Sequence, residues 1–242
     1  MSLSNFKARV CRERLPEEGG TSHECNRNTV SDSLARTLVK LPLFSGVPRV
    51  DVDQIVSSCK VKRLACERGE YIAPTGVVFV LSGRISAYGY GMRSDDRNLL
   101  RILGPDDVYG TFSVFCPTLA ADVELVARTR CEIIVLDGKL LHKWCKAGKC
   151  PQLMINLAAG QAETVFALMD KASILSCYET SDRVMLLLRK HQTQTGLKTL
   201  DCSRSELAER IGVNRTALYR TLDELEKKNK LRLEKGMITL LK

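Results

Sequence analysis

The chain has 242 residues, of which 44% are hydrophobic and 27% are charged. This composition is typical of globular proteins, and it excludes collagen-like, low-complexity and wholly disordered chains. No stretch approaches the roughly 18 consecutive apolar residues of a transmembrane helix. At about 100–200 residues per domain, the length allows one large domain or two small ones.

Positive charge is concentrated toward the C-terminus. Lys and Arg number 37 against 28 Asp and Glu, a formal net charge of +9, and the segment Tyr178–Lys242 alone carries 14 basic and 9 acidic side chains. A basic balance favours nucleic acid or another anionic surface as a partner. We therefore expect a polyanion contact in this last quarter of the chain.

The N-terminal segment Met1–Pro16 carries charges but lacks the apolar core of a secretory signal. We therefore expect a cytoplasmic protein without a membrane partner. Disulfides are rare in that compartment, and the ten cysteines do not show the spacing of a small disulfide-rich scaffold. We accordingly expect the cysteines to be reduced.

Residues 1–30 show no apolar periodicity and are predicted to form a flexible arm. Two short helical patterns follow, one containing Leu34 and Leu38 and one containing Val52 and Ile55. Short β-type runs then alternate with Gly, Pro and Asp turns, a pattern typical of a small all-β sandwich or barrel. The predicted strands are Val61–Leu64, Val77–Leu81, Leu99–Leu103, Val123–Ala127 and Cys131–Leu136.

A long helix is predicted from Pro151, a residue suited to the first helical position, to about Ser176. Residues on one face of it recur alternately four and three apart, and a sustained period of about 3.5 residues indicates a coiled-coil dimer seam. The alternative is a single helix buried against the β domain. The predicted seam consists of Met154, Ala158, Gln161, Val165, Leu168, Ala172 and Leu175.

A helix-turn-helix is predicted near the C-terminus. Ser203 and Glu206 have the spacing of a capping box that begins a helix. Gly212 can adopt the left-handed conformation of a tight turn, and Asn214 is a good N-cap for the second helix. The hairpin that follows, with Lys235 and Gly236 at its turn, completes a winged helix.

The second helix of this motif presents its first turns to the DNA major groove. Arg215 and Arg220 are expected to donate bidentate hydrogen bonds to guanine, and Thr216 and Ala217 to meet a thymine methyl or the backbone. Arg204 and Ser205, at the start of the preceding helix, suit phosphates. Tyr219 either donates to a phosphate or packs. The predicted DNA-binding residues are Arg204, Ser205, Asn214, Arg215, Thr216, Ala217, Tyr219 and Arg220.

Six segments match motifs of a known protein family: Arg68–Ile72, Val78–Ile85, Ile102–Gly110, Ala127–Glu132, Ser203–Gly212 and Asn214–Arg220. Together with the order of elements, they resemble the Crp/Fnr family of bacterial transcription regulators over about residues 35–242. The resemblance implies a homodimer, an effector bound between a β-roll and the seam helix, and a palindromic operator in double-stranded DNA. We also expect RNA polymerase as a partner.

Two departures from the cyclic-AMP-binding members predict a different effector and operator. Those members carry Glu after the first Arg of the recognition helix, where this chain has Thr216. In the nucleotide pocket, Thr111 replaces the ribose-binding Glu, and Ala121 and Asp122 replace the phosphate-binding Arg-Ser pair. Because a phosphate would lose its charge-assisted partner there, we expect no cyclic nucleotide. The candidate effector pocket comprises Gly110, Thr111, Phe112, Ala121 and Asp122.

The cysteines leave three sensor chemistries open. Cys11 and Cys25 are too far apart for the cluster-binding arm of iron–sulfur members. The dipeptides Cys116-Pro117 and Cys150-Pro151 occur in some haem-responsive proteins, and His142 and Cys145 lie near the second. Cys145 and Cys150 could also act as a thiol redox pair, provided that they are accessible and have low pKa values. Cys116, Cys145 and Cys150 are therefore the candidate ligands.

We predict an α+β chain with a flexible arm (1–30), a β-roll sensor domain similar to cyclic-nucleotide-binding domains (31–150), a dimerisation helix (151–176) and a winged helix-turn-helix domain (177–242). The predicted function is a homodimeric, sequence-specific transcription regulator controlled by an effector or redox signal. The alternative is a haem- or thiol-based sensor whose winged helix makes protein contacts. No nucleophile elbow, phosphate loop or zinc-ligand spacing indicates an enzyme.

Overall fold

A computed structural model describes residues 12–13, 27–73, 76–90, 97–116 and 123–241 of the chain. They form two compact units: the first contains the described residues up to Tyr90 and Arg101–Thr164, and the second contains residues 97–100 and Val165 onward. The boundary at Val165 lies inside the long helix, whereas the sequence placed domain boundaries at the two ends of that helix. Within the described ranges, no helix is both long and apolar enough to cross a membrane.

The described residues of the N-terminal part include nine strands, which build two antiparallel sheets. The order is β1-β2-β9-β4-β7 in one sheet and β3-β8-β5-β6 in the other. The strands are β1 (Arg12–Glu13), β2 (Val61–Cys66), β3 (Tyr71–Ile72), β4 (Gly76–Ser82), β5 (Ile85–Tyr90), β6 (Arg97–Leu103), β7 (Val108–Tyr109), β8 (Val123–Ala127) and β9 (Cys131–Asp137).

Strands β4 and β9 are buried on both faces, which explains why they are continuous apolar runs. Successive side chains point to opposite faces of a strand. Val78 and Val80 accordingly join a core shared with residues of the second sheet, whereas Val77 and Phe79 join a core built with helices. The helices of this unit are α1 (Arg27–Val39), α2 (Arg49–Ser58), α3 (Phe112–Phe115), α4 (Gly138–Lys146) and the first part of α5 (Pro151–Ser176).

The segment expected to be a loose arm is partly ordered. Arg12 and Glu13 pair with Ala65 and Leu64 of β2, and α1 already begins at Arg27. An edge strand offers unpaired backbone groups to any extended segment, so these two residues form a strand without an apolar pattern of their own. The rest of the arm lies outside the described residues, apart from α1.

The second unit contains the winged helix. Three helices and a small sheet, in the order β10-β12-β11, enclose a core that includes Ile174 from α5. The elements are α6 (Thr180–Thr195), β10 (Thr199–Asp201), α7 (Arg204–Ile211), α8 (Arg215–Lys227), β11 (Leu231–Glu234) and β12 (Met237–Leu240). Helices α7 and α8 and the hairpin of β11 and β12 agree with the helix-turn-helix and hairpin that the sequence predicts.

Candidate nucleic-acid interface

Helix α7 begins at the cap predicted from the sequence. The Ser203 hydroxyl accepts a hydrogen bond from the Glu206 backbone N–H at 3.1 Å, which satisfies one of the free donors of the first turn. The Glu206 carboxylate is buried and pairs with Arg210, at 2.6 Å. This ion pair keeps the Glu206 carboxylate away from the surface beside Arg204, where a negative charge would repel a phosphate.

The turn between α7 and α8 is closed by Gly212, which has the left-handed φ of 66°. Two cations from neighbouring helices reach the carbonyl groups at the end of α7. Lys171 donates to the carbonyl groups of Glu209 and Arg210, and Arg183 donates to that of Ile211 at 3.2 Å. Cations are favourable at a helix C-terminus.

Lys171 carries an electrostatic cost in this position. Its ammonium group is desolvated by burial and lies near Arg210 and Arg183, and together these lower its pKa to about 8. The sequence gives no signal for either Lys171 or Arg183, because both act on a helix that is distant along the chain.

Helix α8 exposes the residues predicted to read DNA. The Asn214 side-chain oxygen accepts the Ala217 N–H at 2.8 Å, so its amide NH₂ group remains available as a donor. Arg215, Thr216 and Arg220 are exposed. The opposite face of the helix is fixed by three buried leucines, Leu218, Leu222 and Leu225.

Tyr219 and Arg204 join the two helices at this surface. The Arg204 guanidinium lies 5.0 Å from the centroid of the Tyr219 ring, a cation–π contact. Ser205, next to Arg204, is half-buried. A cleft of about 260 Å³ opens beside them, lined by the start of α7, Tyr219 and wing residues from Leu233 to Ile238. Tyr219 packs against Arg204 and is still 40% exposed, so this contact is compatible with both of its predicted roles.

In the first unit, the candidate effector residues are only partly within the described ranges. Thr111 is buried, and its hydroxyl donates to the Gln161 side-chain oxygen of α5 at 2.6 Å. Gly110 is buried beside it, and the Phe112 ring packs edge-on against Tyr109. Ala121 and Asp122 lie outside the described residues. Arg101 also faces α5, where it bonds Thr164, but Asp107 holds it in an ion pair at 2.7 Å.

The predicted seam residues have different surroundings along α5. Val165, Leu168 and Leu175 are between 40% and 48% exposed, and Ala158 and Ala172 are also exposed. Met154 instead packs against the core of the first unit, and Gln161 receives the Thr111 hydrogen bond. Three large apolar residues of α5 outside the predicted stripe are still more exposed, Ile155, Phe166 and Met169. Phe166 and Met169 follow Val165 and Leu168 directly and widen the apolar face.

The candidate ligand cysteines have different surroundings. In the described part of the chain, no group of three or more His, Cys, Asp or Glu side chains could hold a metal ion. Cys116 is exposed, whereas Cys145 and Cys150 are buried. Burial, with smaller contributions from Cys59 and Cys150, raises the pKa of Cys145 to about 11, which disfavours a reactive thiolate. His142 is bonded through Nδ1 to the Val114 carbonyl group.

Among the cysteines that the structure describes, Cys66 differs from the reduced state expected from the sequence, because it is disulfide-bonded. A disulfide requires Cα atoms about 4.4–6.8 Å apart. Folding can bring two cysteines within this distance whatever their spacing in the sequence, so the spacing of the cysteines did not predict this bond.

The sequence matches no protein-family model and no curated protein. Solved structures do match. The c-di-GMP-responsive regulator CLP of Xanthomonas campestris is 19% identical, with a TM-score of 0.63 over 81% of this chain and 100% of that one. A CooA mutant of Carboxydothermus hydrogenoformans is 18% identical, with a TM-score of 0.62 over 77% and 85%.

A Crp/Fnr-family transcriptional regulator from Eubacterium rectale is 17% identical, with a TM-score of 0.59 over 84% of this chain and 94% of that one. The chain has the Crp/Fnr fold. The resemblance stated from the sequence is thereby confirmed at the level of the fold. At these identities the Crp/Fnr likeness does not transfer residue roles, so the roles rest on the geometry of this chain.

Proposed function

We propose that the chain is a sequence-specific DNA-binding transcription regulator that acts as a homodimer. The observation that carries this proposal is the surface of α8, which exposes Arg215, Thr216 and Arg220 on a helix anchored by buried leucines. An exposed helix of this kind fits the major groove, where arginine distinguishes guanine from the other bases.

We infer roles for the other interface residues from their contacts. Arg204, held over Tyr219 at the mouth of the wing cleft, and Ser205 serve as phosphate contacts that fix the register of the protein on DNA. Asn214 donates its free amide to the backbone or a base edge, because its oxygen is used by the cap. Ala217, half-buried, meets the DNA only through its methyl group.

The homodimer is supported by the exposed apolar face of α5. Val165, Phe166, Leu168 and Met169 form adjacent large apolar side chains that are 44–67% exposed. A contiguous exposed apolar surface marks an interaction site. A second copy of the same helix, paired along the predicted seam, would cover it. The two recognition helices would then read a palindrome with half-sites about one turn of DNA apart.

The proposed control is a signal other than a cyclic nucleotide, sensed where the β-roll meets α5. The position aligned with the ribose-binding Glu is Thr111, a buried neutral side chain already bonded to Gln161. The Arg101 side chain, which also bonds α5, forms an ion pair with Asp107 and is therefore not available to bind a cyclic phosphate. We propose that the protein acts in the cytoplasm, where it binds DNA and has RNA polymerase as a partner. The haem- or thiol-sensor alternative has no comparable support, since Cys145 and Cys150 are buried.

The test is selection of bound DNA from a random duplex library by the full-length protein. The proposal predicts enrichment of a palindrome with two half-sites about one helical turn apart. Enrichment of an asymmetric single site would contradict the dimeric arrangement. No enrichment over an unselected library, with the protein folded, would contradict DNA reading and favour protein contacts by the winged helix.

A further inference from the structure

The winged-helix unit contains a second cavity, distinct from the wing cleft. It has a volume of about 550 Å³, within the range of roughly 300–1,000 Å³ typical of small-molecule sites. Its lining residues come from the residue after α5, from α6 and from the segment directly after α8: Cys177, Asp182, Met185, Leu186, Arg189, Lys228 and Lys230. None of them belongs to the proposed DNA-binding residues.

The cavity carries an excess of unpaired positive charge. Arg189, Lys228 and Lys230 are exposed, and among the described residues none of these three cations forms an ion pair. Asp182 is the acidic residue of the lining, so the lining has a net charge of +2. Helix-dipole stabilisation accounts for a lysine at the end of α8, but it does not account for Arg189 in the middle of α6.

The other lining residues give the cavity an apolar side. Met185 is 8% exposed and Leu186 is half-buried, and both pack within the core of the unit. A methionine side chain adapts to irregular apolar ligands. The backbone beneath the cations is fixed, since the Lys230 N–H donates to the Leu225 carbonyl group and its own carbonyl group accepts from Leu241.

We propose that this cavity, which we call the α6–α8 cavity, binds a small organic anion with an apolar body and a carboxylate, phosphate or sulfonate group. The Arg189 guanidinium suits the planar or tetrahedral oxygens of such a group, and Lys228 and Lys230 add charge. The apolar body lies on Met185 and Leu186. A ligand here touches both the residue that follows α5 and the end of α8, so an effect on DNA binding would rest on the proposed function, whereas the binding itself does not.

Anilinonaphthalene sulfonate is a suitable probe because it joins an apolar body to one anionic group and fluoresces when bound. The uncharged N-phenylnaphthylamine serves as the matched ligand. In the full-length protein, R189Q/K230Q is expected to weaken sulfonate binding about tenfold or more, since charge-assisted hydrogen bonds are lost. The control K227Q/R232Q removes the same charge from exposed neighbours that do not line the cavity, and it should change the affinity less than about twofold.

The binding position is tested separately in the wild-type protein by alkylation and mass spectrometry. Saturating sulfonate probe should slow alkylation of Cys177 and leave that of Cys116, an exposed cysteine of the other unit, unchanged. Equal weakening by both double variants, or unprotected Cys177 with the probe bound, would overturn the proposal. So would equal affinities for the charged and uncharged ligands. The assay contains no DNA, so its failure would leave the proposed function untouched.

Discussion

Replacing Gly212 with alanine tests how the helix-turn-helix packs on the last turn of α5. Gly212 has a φ of 66°, and a Cβ atom at this position would lie 2.9 Å from Cδ2 of Leu175. Gly196, at the end of α6, provides a matched control. It has a φ of 74° in the same role after a helix, and a Cβ atom there would meet nothing within 4 Å.

The two substitutions separate backbone strain from the side-chain clash. Alanine in the left-handed region costs about 1–2 kcal/mol, and both variants carry this cost. Gly212→Ala must also displace Cδ2 of Leu175, the end of a flexible side chain that is 40% exposed, at about 0.5 kcal/mol. Gly212→Ala is therefore expected to lower the free energy of unfolding by about 1.5–2.5 kcal/mol, and Gly196→Ala by about 1–2 kcal/mol.

The assay is urea unfolding followed by far-ultraviolet circular dichroism, with a double-mutant cycle on Leu175→Ala. In the Leu175→Ala background, the two glycine substitutions should cost the same, because the clash is gone. Equal destabilisation of the two glycine variants in the wild-type background would refute the close packing of Gly212 on Leu175. A difference that persists in the Leu175→Ala background would show that it does not come from the contact between Gly212 and Leu175.

Three further changes have defined outcomes. Asn214→Ala removes the α8 cap and should cost about 1 kcal/mol in urea unfolding, whereas Asn214→Asp, which keeps the acceptor oxygen, should not. Lys171 has a folded pKa of about 8, below its ordinary value of 10.5, so the unfolded state binds more protons between these values. The stability of the wild type should therefore rise relative to Lys171→Met as the pH increases from 8 to 10.5, and a constant difference would contradict the buried environment. Thr111→Val leaves the Gln161 oxygen without its donor and should lower the free energy of unfolding in urea by about 1–3 kcal/mol. Thr111→Ser keeps the hydroxyl and should lower it much less.

Local signals in the sequence predicted much of the fold. The α5 bounds of Pro151 and Ser176 and the hairpin of the wing agree with the prediction, because a helix-starting proline and a tight glycine turn act within a few residues. Strand β5 was not predicted. Ser86 and Gly89 weaken its β-type pattern, and its place is fixed by pairing with β8, which only the tertiary structure shows.

The candidate site was predictable where it depends on one helix and not where it depends on several. Exposure of Arg215 and Arg220 follows from the spacing of the leucines on the other face of α8. The Arg204–Tyr219 contact joins α7 to α8, and the Lys171 contacts join α5 to α7. Such contacts depend on how helices pack, so a single sequence does not reveal them. The α6–α8 cavity also depends on how several elements pack, so the sequence alone did not reveal it.

We propose above all that α8 reads DNA through Arg215 and Arg220. The most direct test is the affinity of the double variant Arg215→Ala/Arg220→Ala for the palindrome selected from the random duplex library. Fluorescence anisotropy with the labelled duplex, repeated with a scrambled duplex at one salt concentration, measures both affinities. We predict a loss of binding free energy of about 1–3 kcal/mol per arginine on the palindrome and a smaller loss on the scrambled duplex. An unchanged affinity for the palindrome would show that α8 is not the recognition helix.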